Sequence, residues 1–170
     1  MTLEQYAYIA EIVGVIVIAV TLVYLVVEVR QNTQALHSQT RQNLLATAHA
    51  LLHAQVEHPD IIVSMLKDGQ LDQEENIKLN AWLVSLMRHL EFAWQQYKNG
   101  IIDEDRWSTE RRVLDVVLRG TRNREWWEQL GRPVFNEEFC EFVDAEVRGR
   151  PPTDELLKGF LDWANASTEG

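Results

Sequence analysis

His49, His53 and Glu57 follow one another at intervals of four residues, a spacing that places all three on one face of a helix. Two imidazoles one turn apart can chelate zinc or another divalent ion, with the carboxylate as a third donor. The pattern stops short of zinc-protease chemistry: Ala50, not a glutamate, follows His49, and no further ligand is identifiable. The competing account is a solvated histidine edge near a helix end. If several copies surrounded an axis, the same edge would form stacked rings able to gain charge between about pH 5 and 8.

The remaining polar groupings read as structural. Arg88, His89 and Glu91 lie close in sequence, but adjacent helical positions point apart, so they suggest a surface salt-bridge face. Glu110, Arg111 and Arg112 read as a solvated face. Trp126 and Trp127, beside Arg124 and Glu125, read as one core indole and one rim indole, the alternative being a cation–π or partner-binding surface. No Ser or Thr stands with a His and an Asp in a nucleophile motif, and there is no Gly-rich phosphate loop. The sequence gives no reason to expect an enzyme, and no cofactor is expected.

The element that must carry the histidines begins far upstream. Residues 9–29, IAEIVGVIVIAVTLVYLVVEV, are apolar with one carboxylate near each end. At about 1.5 Å per residue, this run covers roughly the 30 Å hydrocarbon core of a bilayer. A secretory signal peptide would have a basic tip and a small-residue cleavage site, and neither MTLEQYAY nor VVEVRQN fits. A strand would be interrupted by turn residues well before this length. A single transmembrane helix is therefore expected, with Tyr6 and Tyr8 at the interfacial aromatic belt and Glu11 shallow enough to reach water. Arg30 and Arg41 follow the span and no Lys or Arg precedes it, which predicts a cytoplasmic C-terminal domain.

No proline occurs before Pro59 and no glycine between Gly14 and Gly69, so the span is expected to continue as one helix to about His58. Read at alternating intervals of three and four, one line of this helix is Glu11, Gly14, Ile18, Thr21, Leu25, Glu28, Asn32, Ala35, Gln39, Gln42, Ala46, His49, His53 and Val56. The opposite line, Val13, Ile16, Val20, Val23 and Val27, is bulky and apolar, as a lipid-facing surface is. Small and hydroxyl side chains on one face let helices approach in lipid, which predicts homo-oligomerisation. Were copies to surround an axis, Glu11 and Glu28 would ring its two mouths, with Ile18 and Leu25 as apolar constrictions, and an ion path would be an alternative function.

Beyond residue 56 the composition changes: 14 basic and 23 acidic residues, and all six tryptophans, fall in this part of a chain whose formal net charge is −10. Such a balance argues against nucleic acid and against electrostatic docking onto anionic lipid, both of which call for a basic surface. Cys140 is the lone cysteine, so no intrachain disulfide can form. Helix follows helix: a short one after Pro59 ended by Gly69; a long one opened by Asp72 and stopped at Asn99 and Gly100; one capped by Asp103 and ended by Gly120. Two shorter helices follow, one holding Trp126 and Trp127 and one from about Asn136 to Val147 with Phe139, Phe142 and Val143 inward. RGRPP then links to a last amphipathic stretch through Trp163, and NASTEG is expected to fray.

The apolar start running into LVYLVVEVRQNTQAL (Leu22 to Leu36), then QYKNGIIDEDRW (Gln96 to Trp107), REWWEQ (Arg124 to Gln129) and EEFCEFVD (Glu137 to Asp144), resembles a family of uncharacterised bacterial membrane proteins. Members more often carry Gln where Glu28 stands and a basic residue where Gln34 stands, which gives the stalk here a different charge. The resemblance implies a small bacterial single-span protein, hence one expected at the inner membrane, with a helical head, and brings no functional residue with it.

The expected fold is thus all-α, a long N-terminal transmembrane-plus-stalk helix followed by a compact bundle of about five or six helices. Its parts are an N-terminal tip (1–8), the transmembrane helix (9–29), a helical stalk (30–58), a helical head (59–147), and a linker with a C-terminal helix (148–170). The expected function is that of a membrane-anchored structural or interaction protein, with itself, the bilayer and an unidentified protein as partners of the anchor and head. A metal-dependent sensor or enzyme at His49 and His53 is a second alternative.

Overall fold

The computed structural model describes residues 3–67 and 69–166, without the side chains of residues 6–10, 160, 164 and 165. Regular structure among the described residues is helical, with no strand. The expected positions of the Tyr6 and Tyr8 rings, and residues 167–170 of the expected frayed tail, lie outside the described residues.

Helix α1 runs unbroken from Leu3 to Glu57. It stops where the sequence withdraws helical backbone: the His58 N–H still donates to the Ala54 carbonyl at 2.9 Å, but Pro59 cannot continue the ladder and biases the residue before it away from helix. The chain divides into two compact units, Met1–Gln42 and Asn43–Gly170. In the first unit, residues 11–36 are exposed on every face of α1, Val23 at 66% and Leu25 at 49% among them.

The second unit begins within α1. Leu44 is 1% exposed and joins the core, so the last turns of the helix are part of this unit rather than of a separate stalk. The unit continues with α2 (Asp60–Leu66), α3 (Gln73–Lys98), α4 (Glu104–Arg119), α5 (Thr121–Trp126), α6 (Glu137–Val147) and α7 (Glu155–Ala166). Helix α7 extends two residues into the stretch expected to fray.

Helix α3 organises the core. Asp72 accepts from the Glu75 N–H at 2.9 Å and the Glu75 carboxylate accepts from the Asp72 N–H at 2.9 Å, a reciprocal capping box that satisfies two otherwise orphaned donors. From there Leu79, Leu83, Leu86, Met87, Leu90, Ala93 and Trp94 recur at intervals of three and four and are buried. Its end is set by Gly100, whose φ of 69° is open to glycine and whose N–H closes on the Tyr97 carbonyl at 2.9 Å. The opposing wall is aromatic. Trp94 lies 5.7 Å from Phe139 and 5.8 Å from Phe142, while Trp107 lies 5.6 Å from Phe142, the offset distances that aromatic rings favour. Phe139 and Val143 are fully buried, as the sequence pattern of α6 requires.

The segment between α5 and α6 departs from the two-helix expectation. The helix begun at Thr121 widens into a π turn over Trp127–Gly131 and tightens into a 3-10 turn over Arg132–Val134. Two large indoles, Trp126 at 8% and Trp127 at 1% exposure, are both drawn inward there, their ring centroids 6.5 Å apart. The expectation of one core and one rim indole is therefore corrected.

Candidate functional site

The residues expected to form a seam, Glu11, Gly14, Ile18, Thr21, Leu25, Glu28, Asn32, Gln39 and Gln42, all lie exposed on α1. In one chain the bulky line is exposed too, with Val13 at 53% and Val20 at 63%. Gly14 has open space where a side chain would begin, with nothing within 4 Å of an ideal Cβ. The Thr21 hydroxyl donates back to the Val17 carbonyl at 2.8 Å, as Thr33 does to Val29 at 2.9 Å, so its donor is satisfied within the helix and its lone pairs stay open. Among the described residues, α1 is the helix long and apolar enough to cross a membrane, and its apolar window is not buried.

His49, His53 and Glu57 line one exposed edge near the end of α1. His53 Nδ1 approaches Glu57 Oε2 at 3.5 Å, with both side chains more than half exposed. Among the described residues no group of three or more His, Cys, Asp and Glu side chains is arranged to hold a metal ion.

Two of the residues expected on the surface form a buried polar pair of the second unit. The side chains of His89 and Glu110 are 3% and 7% exposed, and His89 Nε2 stands 3.2 Å from Glu110 Oε2 across the α3–α4 interface. Arg106, one turn before Glu110 on α4, holds the other oxygen at 2.8 Å. Burial pushes the Glu110 carboxyl up, but the hydrogen bond and charge of His89, joined by Arg106, pull it further down, to below the ordinary glutamate value. Glu91 is buried too; it accepts from Arg88 Nη1 at 2.8 Å and from the Asn136 N–H at 2.8 Å, tying α3 to the start of α6. The surface readings of His89, Glu91 and Glu110 are thus corrected, whereas Arg88, which pairs with Glu91, and Arg111 and Arg112 are exposed as expected.

A signal for these positions was present. His89 is in phase with Trp82, Leu86 and Ala93, and Glu110 with Trp107, Leu114 and Val117, so each polar residue sits on the inward stripe of its helix. Above the pair lies a cleft of about 200 Å³, mostly apolar, walled by Leu51 and Leu52 of α1 and Val113 and Val117 of α4. Trp82 also lines it, and the buried Trp82 Nε1–H has no hydrogen-bond partner among the described residues.

No protein-family model, curated protein or solved structure matches this chain.

Proposed function

We propose that this chain is a single-pass protein of the bacterial inner membrane that associates with copies of itself through its N-terminal helix and presents an acidic helical domain to the cytoplasm. The observation that carries this reading is the exposure of the whole apolar stretch of α1, from Ile12 at 60% to Val29 at 63%. Burying one such side chain is worth about 1.5–3 kcal/mol, so a helix with Val and Ile on every face is stable where lipid, not water, surrounds it. The helical state of this β-branched run has the same cause: such residues are indifferent helix formers in water, but in hydrocarbon the backbone must satisfy its own hydrogen bonds.

Arg30 and Arg41 after the apolar stretch support a cytoplasmic C-terminal domain. The Gly14–Thr21 edge supports self-association, because the open space at Gly14 admits the backbone of a neighbouring helix and the Thr21 oxygen can still accept. Mass photometry of the full chain in a mild detergent tests it. Oligomers that dissociate on Gly14→Leu are expected, and a Cβ at this position meets open space within its own chain. A monomer at every concentration removes the self-association, and full recovery of wild-type protein in the aqueous phase without detergent removes the anchor.

A further inference from the structure

The arginine pair of the RGRPP linker does not merely join two helices. Arg148 and Arg150 come together with Arg124 of α5 and Arg132 of the 3-10 turn around a cleft of about 680 Å³, beside Trp127 of the π turn. In a chain with 16 Lys and Arg residues and a net charge of −10, four arginines in one concavity are a local reversal of sign. Two carboxylates, Glu128 and Asp144, also line it.

The partners of each group decide what charge remains. Asp144 is used from within: Oδ1 accepts from Trp127 Nε1 at 3.0 Å and Oδ2 from Arg132 Nε at 3.0 Å. Arg150 donates to Asp115 at 2.6 Å, a carboxylate it shares with Arg119. Arg124 is different. Its guanidinium donates to the main-chain carbonyls of Leu118 at 2.9 Å, Val147 at 3.3 Å and Arg150 at 3.5 Å, and pairs with no carboxylate among the described residues. Carbonyls orient the group without cancelling its charge, and a guanidinium has five N–H donors, so both charge and donors are left over. Arg148 makes no ion pair among the described residues and is exposed.

We propose that this cleft binds a phosphate-bearing anion, gripped by Arg124, Arg132 and Arg148. Arginine forks match the spacing of phosphate oxygens and bind them through paired charge-assisted hydrogen bonds. Of the two carboxylates in the cleft, Asp144 is held by Trp127 and Arg132, and Glu128 leaves one negative charge against the uncancelled Arg124 and Arg148; acidic residues more than about 8 Å away are screened at physiological salt. The π turn that forms one wall is a backbone irregularity of the kind that recurs at binding sites. The phosphate can come from a soluble metabolite or from a lipid headgroup.

The test is titration calorimetry of the full chain in dodecyl maltoside, with inorganic pyrophosphate as the probe. Pyrophosphate is expected to bind, to weaken as sodium chloride is raised, and to lose about tenfold or more in affinity on Arg148→Gln, which removes a charge-assisted contact. Arg132→Gln gives a second reading at a different element; near-UV circular dichroism verifies that both variants keep the aromatic core. Micelles doped with phosphatidylglycerol separate the sources. Suppression of wild-type pyrophosphate binding by phosphatidylglycerol, but not by an equal mole fraction of a fatty acid that carries the charge without the phosphate, identifies a headgroup; binding indifferent to the dopant identifies a soluble phosphate. Absence of pyrophosphate binding, or binding that both variants leave unchanged, overturns the proposal.

Discussion

Glu110 is where the energetics of the second unit are most exposed to a single change. Its carboxylate bridges His89 and Arg106 at 3.2 and 2.8 Å in a setting almost closed to water. A buried pair of this kind adds little net stability compared with apolar packing, but removing one partner leaves an uncompensated polar group inside. Glu110→Ala is therefore expected to cost about 3 kcal/mol in a denaturant titration of the full chain, with Glu110→Gln milder because the amide oxygen still accepts. The same residue predicts an acid limb. For Asp115, burial pushes the carboxyl up and the hydrogen bonds of Arg150 and Arg119 pull it further down, so both it and Glu110 titrate below their ordinary values. The unfolded chain then takes up protons first as pH falls. Their stabilising contribution is complete above the ordinary carboxylate range and is lost as pH drops through the folded values. The melting temperature should accordingly decline below about pH 5, with a shallower decline in Glu110→Gln; equal slopes in the two proteins would remove Glu110 from this account.

At the scale of the element, caps and stops were readable because they are local. Asp72, Asp103 and Gly120 each bound the helix that the sequence assigns to them, with the Asp103 carboxylate accepting from the Arg106 N–H at 2.9 Å. The π turn was not readable, since it answers to packing between Trp126, Trp127 and the rings of Phe135 and Phe139 rather than to any motif. Gly131 is its clearest requirement. A Cβ there would stand 2.8 Å from the Trp126 ring and 3.1 Å from the Trp127 ring, at a backbone conformation any residue can adopt, so the demand is for space and not for φ. Gly131→Ala is expected to destabilise by about 1–3 kcal/mol and to blur the near-UV dichroism of the tryptophans. An unchanged melting temperature would mean that the indoles give way without cost.

For the whole molecule, the question is whether the exposed apolar stretch of α1 meets lipid. Val20, at the middle of that stretch and on its bulky line, is 63% exposed. An arginine at the centre of a spanning helix costs about 3 kcal/mol on an insertion scale, so Val20→Arg is expected to shift the chain out of the membrane fraction in alkaline extraction. Identical distributions of wild type and variant would count against a lipid-embedded Val20. The apolar run, the uninterrupted α1, the order of helices and their caps follow from residues near one another in sequence, and these were legible before any coordinates. Which polar side chains end up inside was not. His89 meets Glu110 across 21 positions and Arg148 gathers with Arg124 and Arg132 around one cleft, because burial and charge balance are properties of neighbours in space. A helix pattern says which stripe turns inward, whereas the partner waiting there is supplied by another helix.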